Sequence, residues 1–85
     1  MLFNNDKRPP PGSAAAVKYD AYEALDDEGK QFIDQLAYEV AVLFDEEGLE
    51  KAKRHMNDAL RDCDDEWRLA LWWKLNSRIR TAFRK

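Results

Sequence analysis

Histidine and cysteine each occur once in these 85 residues, as His55 and Cys63, and that scarcity removes most catalytic chemistry. If one helix carries both, they sit about 12 Å apart along its axis, too far for a thiolate–imidazole pair. A single cysteine makes no internal disulfide, as expected of a protein kept in a reducing compartment. Glycine is confined to positions 12, 29 and 48 and proline to 9, 10 and 11. There is accordingly no glycine-rich phosphate loop, no Walker-type lysine and no Gly-x-Ser-x-Gly elbow. No apolar run approaches the roughly 18 residues of a membrane span, and the opening residues hold no hydrophobic segment of signal-peptide length. A cytoplasmic, non-enzymatic protein without cofactor or membrane attachment is the expectation.

Metal chemistry is equally poorly supplied. His55, Asp58 and Asp62 share a helix face, but one imidazole and two carboxylates fall short of a structural zinc set. The acidic triplets lack the alternating oxygens and the glycine placement of a calcium loop.

What is present is apolar and charged in nearly balanced measure. Hydrophobic residues make up 45% and aromatics 12%, enough to exclude a wholly disordered chain. No β-type alternation occurs, so the fold class expected is all-α. Residues 1–12 contain Pro9, Pro10, Pro11 and Gly12 and read as a disordered tail; residues 13–85 read as a single helical domain. At this length one core barely offsets the entropy of folding, so a homodimer is one alternative worth carrying.

A phrase recurs at nineteen-residue spacing: "LDDEG", "FDEEG" and "CDDEW" place an Asp at 26, 45 and 64. Each Asp suits a helix start, where it accepts from free backbone N–H groups and where further acids meet the positive end of the helix dipole. This predicts helices over about 27–44, over about 46–62, and from Asp64 towards the tail, preceded by a short helix capped by Ser13. The first of the three carries Phe32, Ile33, Leu36, Val40, Leu43 and Phe44 at helical spacing, with Tyr38 and Val42 widening the stripe. In the last, Leu71, Trp72, Leu75, Ile79 and Phe83 share one face; Trp73 falls on the opposite face, beside Arg80 and Arg84, if the helix is straight. Trp67 lies between these faces, near Lys74. The adjacent Asn76 and Ser77 offer an alternative, a stop near Leu75 and a restart with Ser77 as the new cap.

Charge is divided along the chain. Residues 19–50 hold eleven acids and one base, whereas residues 51–85 hold ten bases and five acids. Two kinds of surface follow: an acidic one, Asp26, Asp27 and Glu28 with Asp45, Glu46 and Glu47, and a basic aromatic one, Trp67, Trp73, Lys74, Arg78, Arg80 and Arg84. Tryptophan and arginine are the residue types enriched at interface hot spots, which points to a protein partner. The same basic residues could contact phosphates, making nucleic acid the alternative partner, although a pI near 5.1 is unlike a dedicated nucleic-acid binder. The bland reading is that these bases simply pair with the acidic helix.

The closing run "LWWKLNSRIRTA" resembles the tail of small accessory proteins encoded by phages and prophages, a Leu-Trp-x-x-Leu-(Asp/Asn)-Ser-x-x-Arg-(Ser/Thr)-Ala pattern. Leu71, Trp72, Leu75, Asn76, Ser77, Arg80, Thr81 and Ala82 occupy its places; Trp73 is outside it. The resemblance implies a mobile-element origin and a role in phage DNA metabolism or in blocking a host system. It implies no catalytic residue. A phage-type inhibitor or adaptor that occupies a host complex is therefore the concrete form of the protein-binding expectation.

Overall fold

The computed structural model describes residues 12–84. The expected tail over residues 1–12 lies outside the described residues except for Gly12, which sits in a turn at φ 85°. Five helices follow in order: α1 (Ala14–Glu23), α2 (Asp27–Glu46), α3 (Leu49–Ala59), α4 (Asp65–Lys74) and α5 (Ser77–Arg84). The all-α expectation holds, with no strand among the described residues.

Helix starts follow side-chain chemistry where the acidic phrases meet free N–H groups. Ser13 Oγ accepts from Ala16 N at 3.1 Å to begin α1, and Asp26 Oδ1 accepts from Gly29 N at 2.8 Å to begin α2. Asp64 holds the cap position of α4, with Asp65 and Glu66 in the first turn, but its side chain accepts no hydrogen bond from the helix start, so only Asp26 of the three caps as expected. Asp45 departs from the pattern. It belongs to the last turn of α2, because the apolar stripe through Val40, Leu43 and Phe44 carries that helix past it. Gly48 then ends the helix at φ 103°, a backbone conformation that only glycine adopts without strain, and its N–H reaches Leu43 O at 3.0 Å. As a result α3 starts later than the expected residue 46, and it ends earlier than 62 because Leu60 is drawn into the core while the chain turns towards Asp64.

The expected third helix is broken in two. Leu75 adopts an extended conformation (ψ 144°), and Asn76 Oδ1 accepts from Ile79 N at 2.9 Å. Asn76 is the cap, and Ser77 is the first residue of α5. The register that buries Ile79 and Phe83 on one face puts Asn76 at the position whose side chain meets the N–H three residues on.

The core is built from one stripe per helix. Ile33, Leu36 and Val40 of α2 meet Ala52 and Met56 of α3, with Leu60 just beyond it; Ala70 and Leu71 of α4, Leu75 in the break, and Ile79 and Phe83 of α5 complete it. Each large aliphatic or aromatic side chain buried there contributes about 1.5–3 kcal/mol. Helix α1 lies mainly against α4, where Ala16, Ala21 and Ala70 are buried and their small side chains allow close approach. A polar clamp fastens this seam to α2. Tyr22 OH donates to Asp34 at 2.9 Å, and the Lys74 ammonium lies 3.4 Å from the same carboxylate and 4.9 Å from the Tyr22 ring centre.

Burial, and secondly the bond to Asp34, push the Tyr22 phenol up to about 12 from an ordinary 10.0. The neutral phenol is the form that the fold favours, so its stabilisation is complete below pH 10.0 and is lost as pH rises through about 12. An ultraviolet phenolate titration should show a step near pH 12 that disappears in Tyr22→Phe and moves down in Asp34→Asn. Replacing the cap, Asn76→Ala, should cost about 1 kcal/mol in urea unfolding and speed amide exchange at Ile79. Ser77→Ala should leave both nearly unchanged.

Candidate functional site

The structure separates the residues expected to bind a partner. Trp73 is half-buried, its ring edge-on to Tyr19 of α1 with centroids 5.2 Å apart at 81°. Because the helix breaks after Lys74, Trp73 does not continue onto a shared face with Arg80 and Arg84; it seals the α1–α4 seam. Lys74 is held by Asp34, and Arg78 Nη2 donates to Asp45 Oδ1 at 2.7 Å while its guanidinium lies 5.3 Å from the Phe44 ring centre. Arg80 Nη1 donates to the Trp72 carbonyl at 3.3 Å, and Arg84 is exposed. Two of the expected basic contacts are thus spent within the fold, as the bland reading anticipated.

The acidic surface is likewise two surfaces. Asp26 and Asp45 are nineteen positions apart along α2, about 28 Å of helix rise. At the C-terminal end, Asp45, Glu46 and Glu47 oppose the negative end of the dipole, and the fold answers them: Arg78 pairs with Asp45, and Lys51 pairs with Glu47 at 3.1 Å. At the N-terminal end, Asp26, Asp27 and Glu28 suit the dipole. No ion pair among the described residues uses them.

Beside this unneutralised end lies an open groove of about 490 Å³, and Trp67 forms its wall. Gly29 makes it possible: a Cβ there would meet Trp67 Cη2 at 3.3 Å and Leu25 Cβ at 3.1 Å. Without one, the indole approaches the first turn of α2 and sits edge-on to Phe32, centroids 5.7 Å apart at 68°. Phe32 is 41% exposed, and Ala59 and the half-buried Cys63 floor the groove. Asp26 and Glu28 line it as well. The groove therefore pairs two π surfaces with unneutralised carboxylates, the setting for an apolar or cation-tipped side chain.

His55 takes no part in such a site. Its Nε2 lies 2.7 Å from Glu39 Oε1 across the α2–α3 contact, and hydrogen bonds from Gln35 and then His55 hold the Glu39 carboxyl below its ordinary range. Among the described residues no three His, Cys, Asp or Glu side chains converge to hold a metal ion. No described helix is long and apolar enough to cross a membrane.

Phe32 is one of two residues that the stripe reading misplaced, since the core expectation included it. Its neighbours one turn away are mixed, Glu28 and Gln35 on one side and the buried Gly29 and Leu36 on the other, so the ring stands at the border of the stripe. Tyr38, also counted in the stripe, is 66% exposed. No family model, curated protein or solved structure matches this chain.

Because the half-buried Trp73 ring packs edge-on against Tyr19 across the α1–α4 seam, Trp73→Ala should act through stability. We expect a loss of about 2–3 kcal/mol in chemical unfolding, somewhat below the fully buried range, with amide protection lost first in α1.

Proposed function

We propose that this chain is a non-enzymatic protein-binding protein whose Phe32–Trp67 groove receives a basic or apolar side chain from a partner segment. The observation that carries the reading is the coincidence of an exposed ring, Phe32, with an open aromatic groove whose lining carboxylates have no described ion-pair partner. Aromatic residues in such pockets dominate interface energies, and a guanidinium over an indole face adds about 0.5–2 kcal/mol. Carboxylates lining the groove also steer a basic partner during encounter, an effect that salt screens. The tail's resemblance to phage accessory proteins makes a host complex the first place to seek that partner, with this chain as its inhibitor or adaptor.

Protein is favoured over nucleic acid because Lys74 and Arg78, two of the bases available for phosphates, already face Asp34 and Asp45. A pI near 5.1 points the same way.

Affinity capture from the native host, with and without nuclease, tests the reading. A partner should remain after nuclease and be lost from Phe32→Ser and from Asp27→Lys with Glu28→Lys, while circular dichroism stays unchanged. Retention of the partner by both variants would remove the groove as the binding site, and loss of it on nuclease treatment would favour the nucleic-acid alternative.

A further inference from the structure

A second cleft, of opposite sign, lies on the α1–α4–α5 side of the molecule. It is an open cleft of about 280 Å³, lined by Leu69 and Trp72 of α4, Phe83 and Arg84 of α5 and Lys18 of α1. The Trp72 and Phe83 rings meet edge-on at 5.9 Å and 89°, which leaves an aromatic wall facing the slot. Arg80 is held at the same edge by its bond to the Trp72 carbonyl.

Three cations therefore converge, and no ion pair among the described residues neutralises them. On α1 the helical neighbours of Lys18 are Ala14, Ala15, Ala21 and Tyr22, and on α5 those of Arg80 and Arg84 are Asn76, Ser77, Thr81 and Phe83. No carboxylate occupies any of these positions. None of the described ion pairs involves Lys18, Arg80 or Arg84. Burial, and then the charges of Arg80 and Arg84, pull the Lys18 ammonium below its ordinary range, so the crowding works against the free protein. An arrangement that is repulsive when empty becomes favourable once an anion enters it.

We infer that the Lys18–Arg84 cleft is a docking site for an acidic protein segment that presents an aromatic or leucine side chain between Asp or Glu residues. The slot has room for one apolar side chain against Trp72, and half-buried Lys18 and exposed Arg84 line it within reach of flanking carboxylates. A nucleic-acid strand fits less well, because a backbone of successive phosphates needs a row of cations. Two other bases of this half of the chain, Lys74 and Arg78, pair instead with Asp34 and Asp45. This inference is independent of the Phe32–Trp67 groove: the two surfaces share no residue and carry opposite charge.

The test follows the Trp72 indole N–H in ¹⁵N-resolved spectra at low salt while three probes are added separately. These are a short acetylated peptide of Asp and Glu around one Phe, its counterpart with the acids replaced by Lys, and an oligothymidylate of equal charge to the first. The acidic peptide should shift Trp72 saturably, and the basic one should not. Lys18→Glu with Arg84→Glu, and Arg84→Ala alone at its exposed position, should each weaken that binding, the double reversal by at least about tenfold. Phe32→Ser should leave it unchanged. Absence of a saturable shift overturns the proposal, as does undiminished binding by the charge variants. Tighter binding of the oligonucleotide than of the peptide assigns the cleft to nucleic acid, and a Trp72 shift that depends on protein concentration alone assigns it to a second copy.

Discussion

Everything distinctive about this fold depends on the interruption after Lys74. One extended residue, Leu75, and one cap, Asn76, turn what would have been a single long helix into two that point differently. The gain is burial, since Leu75, Ile79 and Phe83 all enter a core that a straight helix would have left open at one end. The cap supplies the hydrogen bond that makes the interruption inexpensive, because Asn76 meets an N–H that a new helix start would otherwise leave unpaired. The same turn redistributes charge. It carries Arg78 to the acidic end of α2, and Arg80 and Arg84 to the side where Lys18 stands.

Charge on α2 illustrates how one kind of residue serves two ends. Carboxylates at its C-terminus oppose the dipole, and there the fold brings Arg78 and Lys51 to them. Carboxylates at its N-terminus agree with the dipole and one of them caps the helix, so no cation is required for the fold and none of the described ones pairs there. The acids at this end remain available to something else. Since the groove between Phe32 and Trp67 opens beside them, aromatic surface and free negative charge occur together for a local reason: Gly29, in the same helical turn, lacks the side chain that would hold the indole away.

The seam between α1 and α4 shows a different balance. Its buried residues are alanines, which give close approach but little apolar area each, and the larger groups are set around them. Trp73 covers one side with Tyr19, while Tyr22, Asp34 and Lys74 tie the other to α2. A short helix with few large apolar residues is thus held by its borders as much as by its centre.

Much of this was legible in the residues themselves. Helical periodicity, cap residues and the lack of β alternation are local properties, so the sequence alone determined the all-α class, the starts of α1, α2 and α4, and the inward faces carrying Ile33, Leu36, Val40, Leu71 and Ile79. Even the weak point at Asn76 and Ser77 was visible, because two cap-type side chains compete with the helix they sit in. The direction in which α5 leaves was not visible, since it depends on whether Leu75 and Ile79 find a core to enter. That tertiary outcome decided the charges: Arg78 pairs with Asp45, and Lys18, set among alanines with no signal of its own, stands beside two arginines more than sixty residues away in the chain, while the packing of α1 on α4 sets Trp73 against Tyr19. Local rules choose the helices, but which charges and rings become neighbours is settled by how the helices pack, because only packing brings distant residues within reach of one another.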